Sequence, residues 1–204
     1  MEAVSLEFRS LGQLSEVVRI SKGFPTQRTQ DSGQFAVFSV SELRDAQAPT
    51  RFADRADLDE LGLHPASPGD VLLTIEGPNL GEVFVVPQDT EPFVCARQAV
   101  AMTVVDLPRV IHPSFLGAWL CSQRARRQLA TLCAGRTIRR ISFQYIRNLM
   151  VPLLPWERQL EIAKRFDAIE TARLAHRAVV NSMETMQALE VELAFADLNA
   201  VSLP

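Results

Sequence analysis

From Trp156 to residue 198 the chain contains neither proline nor glycine, and this uninterrupted stretch limits the possible folds more than any other feature. Nothing in it breaks a helix, and at 1.5 Å per residue such a helix would be roughly 60 Å long. That is more than a small domain needs to cover its own core. Two prolines directly upstream, in Val151-Pro-Leu-Leu-Pro155, separate it from whatever precedes it. Along it Ile162, Ile169, His176, Met183 and Glu190 share one heptad position, and Ala172, Val179, Met186 and Leu193 share the other. Phe166 and Leu189 widen the stripe. The polar members His176 and Glu190 weaken a free-standing coiled coil yet permit register setting or antiparallel pairing. Two readings follow, an ordinary long helix laid on its own domain or a helix that packs on a partner helix. The length favours the second, with Ile162, Phe166, Ile169, Val179, Met183, Met186 and Leu193 as the partner face.

Charge is segregated as sharply. The formal net charge is -3, yet residues 107 to 156 carry eight arginines (Arg109, Arg124, Arg126, Arg127, Arg136, Arg139, Arg140 and Arg147) and no aspartate or glutamate. Residues 1 to 106 hold 16 acids against 8 bases, and residues 157 to 204 hold 8 against 5. An acidic chain whose cations are confined to one segment suits a polyanion such as a nucleic-acid backbone, since phosphate contacts dominate that affinity. Only Lys22 and Lys164 among the 21 bases are lysine; arginine's planar fork fits phosphate or guanine edges, although gene base composition produces the same bias.

With 204 residues, 47% of them hydrophobic, the chain can bury one substantial core and carry an appended element. No apolar run approaches a membrane span, and residues 1 to 10 lack the basic start and apolar stretch of a signal peptide. A cytoplasmic protein with no membrane partner is the expectation. Cys95, Cys121 and Cys133 are odd in number and form no Cys-x-x-Cys pair, so reduced, buried thiols are expected rather than a disulfide framework or a zinc site.

The first half reads as short strands between turns. Val17-Val-Arg-Ile20 and Gly33-Gln-Phe-Ala-Val-Phe-Ser-Val40 are strand candidates, and residues 51 to 63 form a surface helix or loop. Pro68-Gly-Asp70 is a turn signal before Val71-Leu-Leu-Thr-Ile75, a continuous apolar run that suits a buried strand. Gly77-Pro-Asn-Leu-Gly81 is the turn of a hairpin returning through Glu82-Val-Phe-Val-Val86, and residues 93 to 105 supply one more strand. After Pro113 the period becomes helical. Ser114 is the expected cap of one helix whose apolar face is Phe115, Leu116, Trp119, Leu120, Leu129 and Leu132, with Gly135 as its C-cap.

Several segments occur in a recognisable order: Leu11-Gly-Gln-Leu-Ser-Glu-Val-Val18 with Ser21-Lys-Gly-Phe-Pro25; Pro68-Gly-Asp-Val-Leu-Leu-Thr74 with Gly77; Pro113-Ser-Phe-Leu116; Gly135-Arg-Thr-Ile-Arg-Arg-Ile-Ser142; and Val151-Pro-Leu-Leu-Pro-Trp-Glu-Arg-Gln-Leu-Glu-Ile-Ala163. In this order and spacing the chain resembles the target-recognition domain of type I restriction-modification specificity subunits, over about residues 11 to 198. The resemblance implies an α/β fold, a globular recognition domain with a twisted mixed sheet (residues 1 to 152) joined to a long spacer and dimerisation helix (153 to 204) for antiparallel coiled-coil packing. It implies a non-catalytic subunit without cofactors. Its partners would be double-stranded DNA and a separate N6-adenine methyltransferase subunit, in some systems with a restriction subunit. The usual subunit carries two such halves, and the pattern occurs once here, so a half-subunit pairing with a second copy on a bipartite, symmetric site is expected. A separately expressed half of a longer subunit fits the same pattern.

The resemblance places the 135 to 142 loop at the DNA-facing junction of domain and helix. Gly135 permits close backbone approach, Thr137 and Ser142 can donate to phosphate, and Arg136, Arg139 and Arg140 supply charge. Arg124 and Arg127 ride on the preceding helix. Lys22, Gly23 and Arg28 form a second, weaker candidate. A solvated face, or pairing with the acids of the tail, is the competing role for these cations. Two other functions compete with the first. One is a stand-alone DNA-binding regulator or defence-associated module with the same fold. The other is a metal-dependent nuclease holding magnesium between Asp70 and Glu76, for which the expected Glu-x-Lys is instead Glu76-Gly-Pro78. No Asn- or Asp-Pro-Pro-aromatic motif and no Gly-rich cofactor loop is present, so methylation by this chain alone is not expected. The scattered His64, His112 and His176 suggest no site.

Overall fold

The structure, a computed structural model, describes residues 7–105, 109–133 and 140–199, and the side chains of all of these except 133 and 194–199. In chain order the elements are β1 (Glu7–Ser10), β2 (Val18–Lys22), β3 (Phe35–Phe38), α1 (Val40–Arg44), β4 (Phe52–Ala53), α2 (Arg55–Leu61), β5 (Val71–Thr74), β6 (Val83–Val85), β7 (Val94–Cys95), β8 (Ala99–Val104), α3 (Pro113–Cys121), α4 (Gln123–Cys133), α5 (Phe143–Ile146), β9 (Met150–Leu153) and α6 (Trp156–Asn199). The expected α/β fold and long C-terminal helix are present. The strands are shared among three sheets: an antiparallel sheet β2-β8-β5-β6, a mixed sheet β4-β3-β7, and the ribbon β1-β9.

The antiparallel sheet organises the core because β5 is apolar on both faces. Val71 and Leu73 pack with Val100 and Met102 against Phe115, Leu116 and Leu120 of α3, Leu129 of α4, and Ile141, Ile146 and Leu149. Leu72 points the other way, with Ala101, Phe84 and Val86, onto Val40, Phe93 and Cys95. This alternation is the period-two geometry of a strand, and each fully buried Leu, Val or Met side chain contributes about 1.5–3 kcal/mol. Burial also pushes the Cys95 thiol up to about 12, which leaves it a protonated, inert core group.

Several local expectations change. The helix expected from Ser114 to Leu132 is two helices, because Ser122 leaves the helical conformation (φ -69, ψ 154) and its Oγ accepts from Ala125 N at 3.2 Å, opening α4. Proline at the first helical position moves the cap of α3 back to His112, whose Nδ1 accepts from Ser114 N at 3.2 Å. Ser114 itself is buried. Residues 93 to 105 form two strands separated by a turn closed by Ala99 N to Ala96 O at 3.0 Å. Val151-Pro-Leu, read as a helix-breaking junction, is strand β9, with Pro152 opposite Phe8 in a two-stranded ribbon where a missing donor is tolerated. Gly135, the expected C-cap, lies outside the described residues.

Helix α6 has two faces. Gln159 and Ala163 are buried on the domain, and α3 approaches closely because Gly117 has no side chain. A Cβ there would lie 2.4 Å from Val85 Cγ2 and 3.3 Å from Phe166 Cε1. Leu174 packs on the second core cluster, Arg177 meets Asp45 at 3.1 Å, and Asn181 Nδ2 donates to the Asp45 carbonyl. Ile162 and Phe166, expected on a partner face, therefore belong to the contact of α6 with its own domain. On a helical wheel of 100° per residue Val179, Met183, Met186 and Leu193 lie on the other side, and Ile169 lies at the edge next to Ile162. The side chains of those four and of Ile169 are 58–68% exposed.

Candidate nucleic-acid interface

One end of the antiparallel sheet gathers a group of cationic side chains. Lys22 closes β2 opposite Val100, and Ala99 faces Thr74, so the ends of β2 and β5 and the start of β8 lie together. Residues 140 and 141 then join this end: Glu76 bridges Arg140, and Ile141 N donates to Ile75 O at 2.8 Å. The Phe143 ring of α5 is approached by two cations, Lys22 Nζ at 5.5 Å and Arg147 Cζ at 5.9 Å from its centroid. Glu76 is shared by Arg140 Nε at 3.5 Å and Arg97 Nη2 at 3.6 Å.

Helix α4 extends the basic surface. Ala125 and Leu129 anchor it in the core, and Leu129 lies against the hairpin turn, where a Cβ on Gly81 would be 3.6 Å from its Cδ1. Gln128 grips Met150 through both its main-chain groups, at 2.9 and 3.1 Å. This leaves Arg126 and Arg127 exposed, with Arg124 over the Phe8 ring at 4.3 Å. Among the described residues none of Lys22, Arg124, Arg127 and Arg147 pairs with a carboxylate, so their charge remains available to an anion.

Other candidate residues have different surroundings. Gly135, Arg136, Thr137 and Arg139 lie outside the described residues. Arg28 is not part of the basic surface: it is bound by Glu60 at 2.8 Å and Asp57 at 3.8 Å. The Glu60 hydrogen bond and charge raise the arginine above its ordinary value and hold Glu60 below the usual carboxylate range. Gly23 serves packing, since a Cβ there would meet Ala96 O at 2.1 Å and Ala99 O at 2.9 Å; it lets the end of β2 close on the turn that carries Arg97. Ser142 precedes α5 as its N-cap residue, without a side-chain cap bond. Arg109 lies at the opposite end of the sheet, over Trp156 at 5.9 Å, so the acid-free stretch of sequence is not one patch. Of the tail's acids, Glu161 and Glu170 pair with Arg158 and Arg173 of α6 itself.

Sequence reasoning missed Arg97, Gln98 and Phe143. Arg97 and Gln98 occupy a turn without glycine or proline, inside a run that reads as continuous strand. The pairing of Asp70 with Glu76 for magnesium fails on geometry: they bracket β5 at its two ends, roughly 20 Å apart at 3.3 Å per residue. Among the described residues no group of three or more His, Cys, Asp or Glu could hold a metal ion, and no helix is long and apolar enough to cross a membrane.

No family model matches the sequence, and no curated protein does. Solved structures do match in fold. A chain from work on complex assembly and conformational transition of a type I restriction-modification system aligns with TM-score 0.59 at 20% identity, over 97% of this chain and 46% of that one. The HsdS subunit from Thermoanaerobacter tengcongensis gives 0.55 at 18%, over 97% and 45%. The type I restriction-modification S subunit from M. genitalium gives 0.54 at 15%, over 84% and 41%. The chain therefore has the fold of type I restriction-modification specificity subunits and spans less than half the length of those it matches.

Proposed function

We propose that this chain is a DNA-recognition subunit of a type I-like restriction-modification system. It binds duplex DNA and positions a separate N6-adenine methyltransferase, in some complexes with a restriction subunit, and performs no chemistry itself. The observation that carries this reading is the basic end of the antiparallel sheet, where Lys22, Arg124, Arg127 and Arg147 are unpaired among the described residues on a fold shared with specificity subunits. The unneutralised Lys22 and Arg147, both within 6 Å of one aromatic ring, suit a backbone-tracking contact, because such cations release condensed counterions. Selection of duplexes from a randomised pool, and affinity purification of the tagged chain from its own cells, test the proposal. Enriched duplexes and co-purification of the methyltransferase are expected. Enrichment without co-purification would favour a stand-alone regulator, and no duplex binding by the chain or by its purified complex would overturn DNA recognition.

The outward stripe of α6 supports a second copy as the helix's partner and a bipartite, symmetric site. Substituting Val179, Met183 and Met186 with aspartate should weaken self-association at least ~100-fold, since burial of each apolar side chain is worth about 1.5–3 kcal/mol. The unfolding midpoint of the globular part should move little, because exposed positions tolerate change within about 0.5 kcal/mol. Sedimentation equilibrium decides it: a variant that associates as tightly as the unaltered chain removes the stripe from the self-contact.

A further inference from the structure

Arg97 and Arg140 approach one carboxylate from two different segments, and that carboxylate stands inside a surface otherwise suited to phosphates. Glu76 is held by the backbone on both sides. Its N–H donates to Gln98 O at 3.2 Å, and the antiparallel bridge to Arg140 is reinforced by Ile141 N to Ile75 O at 2.8 Å. Its two oxygens are divided, Oε1 toward Arg97 Nη2 and Oε2 toward Arg140 Nε, and the guanidinium side chains remain 40% and 53% exposed. A carboxylate at this place repels phosphate, so a surface that only tracked the backbone would bind better without it. Lys22 and Arg147, close by on Phe143, have no such partner among the described residues.

This division separates two tasks that duplex recognition requires. Unpaired cations fix the register on phosphates, and oriented side chains read base edges. A guanidinium fork pairs bidentately with guanine O6 and N7 only when its plane is fixed, and a neighbouring carboxylate is a means of fixing it. Gln98, next in the same turn, keeps its Oε1 out of solvent with no hydrogen-bond partner, an acceptor that the fold leaves unsatisfied. We propose that Arg97 and Arg140 are the guanine-reading side chains of this domain and that Glu76 is the residue that positions them. The inference rests on the DNA-recognition reading above and adds where base specificity resides.

The test compares the unaltered chain with Arg97→Ala, Arg97→Lys and Glu76→Gln, using duplexes selected from a randomised pool and a scrambled duplex over a range of salt. Arg97→Ala should lose about 10- to 100-fold in affinity for the selected duplex, the span of one bidentate base contact. It should change little on the scrambled one, and reselection should show a guanine position relaxed. Arg97→Lys should not restore the preference, because an ammonium cannot form the fork. Glu76→Gln should bind scrambled duplex somewhat more tightly and discriminate less. Matching unfolding midpoints would separate these effects from misfolding. If both Arg97→Lys and Glu76→Gln select the same sequences as the unaltered chain, the cluster does not read bases. If the unaltered chain enriches no duplex, DNA recognition itself fails, which is a different outcome.

Discussion

Reversing three charges together, Lys22, Arg127 and Arg147 to glutamate, should lower affinity for any duplex by roughly 500-fold at 0.1 M salt. The magnitude follows from counterion release. Each neutralised phosphate contributes about 0.9 to the slope of log affinity against log salt, so at 0.1 M each lost contact removes about 0.9 decade and three remove about 2.7. The slope should flatten by a similar 2.7. All three side chains are exposed and carry no ion pair among the described residues, so the fold should keep its stability within about 0.5 kcal/mol per site. Arg28→Glu is the internal control. Its guanidinium is already bound by Glu60 and Asp57, and its loss should leave the salt slope unchanged. Anisotropy titrations of a labelled duplex at several salt concentrations measure both. A triple variant with an unaltered slope would move the DNA contact off this sheet end.

The parts of this fold that were readable in the sequence are those encoded by neighbouring residues. Pro68-Gly-Asp70 and Gly77 to Gly81 announced the β5-β6 hairpin correctly, and Gly69, Gly77 and Gly81 all adopt positive φ, at 86, 96 and 90°, where glycine is favoured. The long helix was legible because no residue interrupts it. What escaped was set by contacts distant in sequence. Strands β1 and β9 lie at opposite ends of the domain's sequence and pair across Pro152, which reads locally as a breaker. The basic surface shows the same limit. Its densest sequence segment includes Arg109, which folds to the far end of the sheet, and acquires Lys22, Arg97 and Glu76 from outside. A stretch without acids in sequence is thus not without an acid in space, and that single carboxylate is what separates two kinds of arginine. On α6, the heptad pattern identified an apolar stripe but could not say which members the helix's own domain would take. Gly117 decides that by admitting Phe166.

Gln159→Leu should be the most destabilising single substitution outside the apolar core, and its effect should reach the DNA site through geometry. The side chain is 1% exposed and makes three hydrogen bonds to main chain. Oε1 accepts from His112 N at 2.8 Å, and Nε2 donates to Val110 O and to Leu154 O, both at 2.9 Å. One amide therefore joins the segment before α3, the end of β9 and the first turn of α6. Leucine fills a similar volume but orphans one donor and two acceptors. At about 1–3 kcal/mol for each unsatisfied buried group, partly relieved by water, the loss should be roughly 3–5 kcal/mol. That is a large fraction of a typical 5–15 kcal/mol stability and corresponds to a fall in Tm of about 10 °C for a chain of this length. Arg158→Ala, which removes only an exposed pair with Glu161, should shift Tm by a degree or two, as weak surface pairs do. Calorimetry separates the two residues. A Gln159→Leu chain that melts like the unaltered one would show that apolar contacts alone seat α6. The functional consequence follows from leverage: a 44-residue helix spans roughly 66 Å at 1.5 Å per residue, and a rotation of 10° at its root displaces the far end by about 11 Å. If two copies pair through that far portion, the angle fixed by Gln159 sets the distance between their basic surfaces. Variants that still fold should then lose affinity for the symmetric two-part site while retaining their affinity for one half of it.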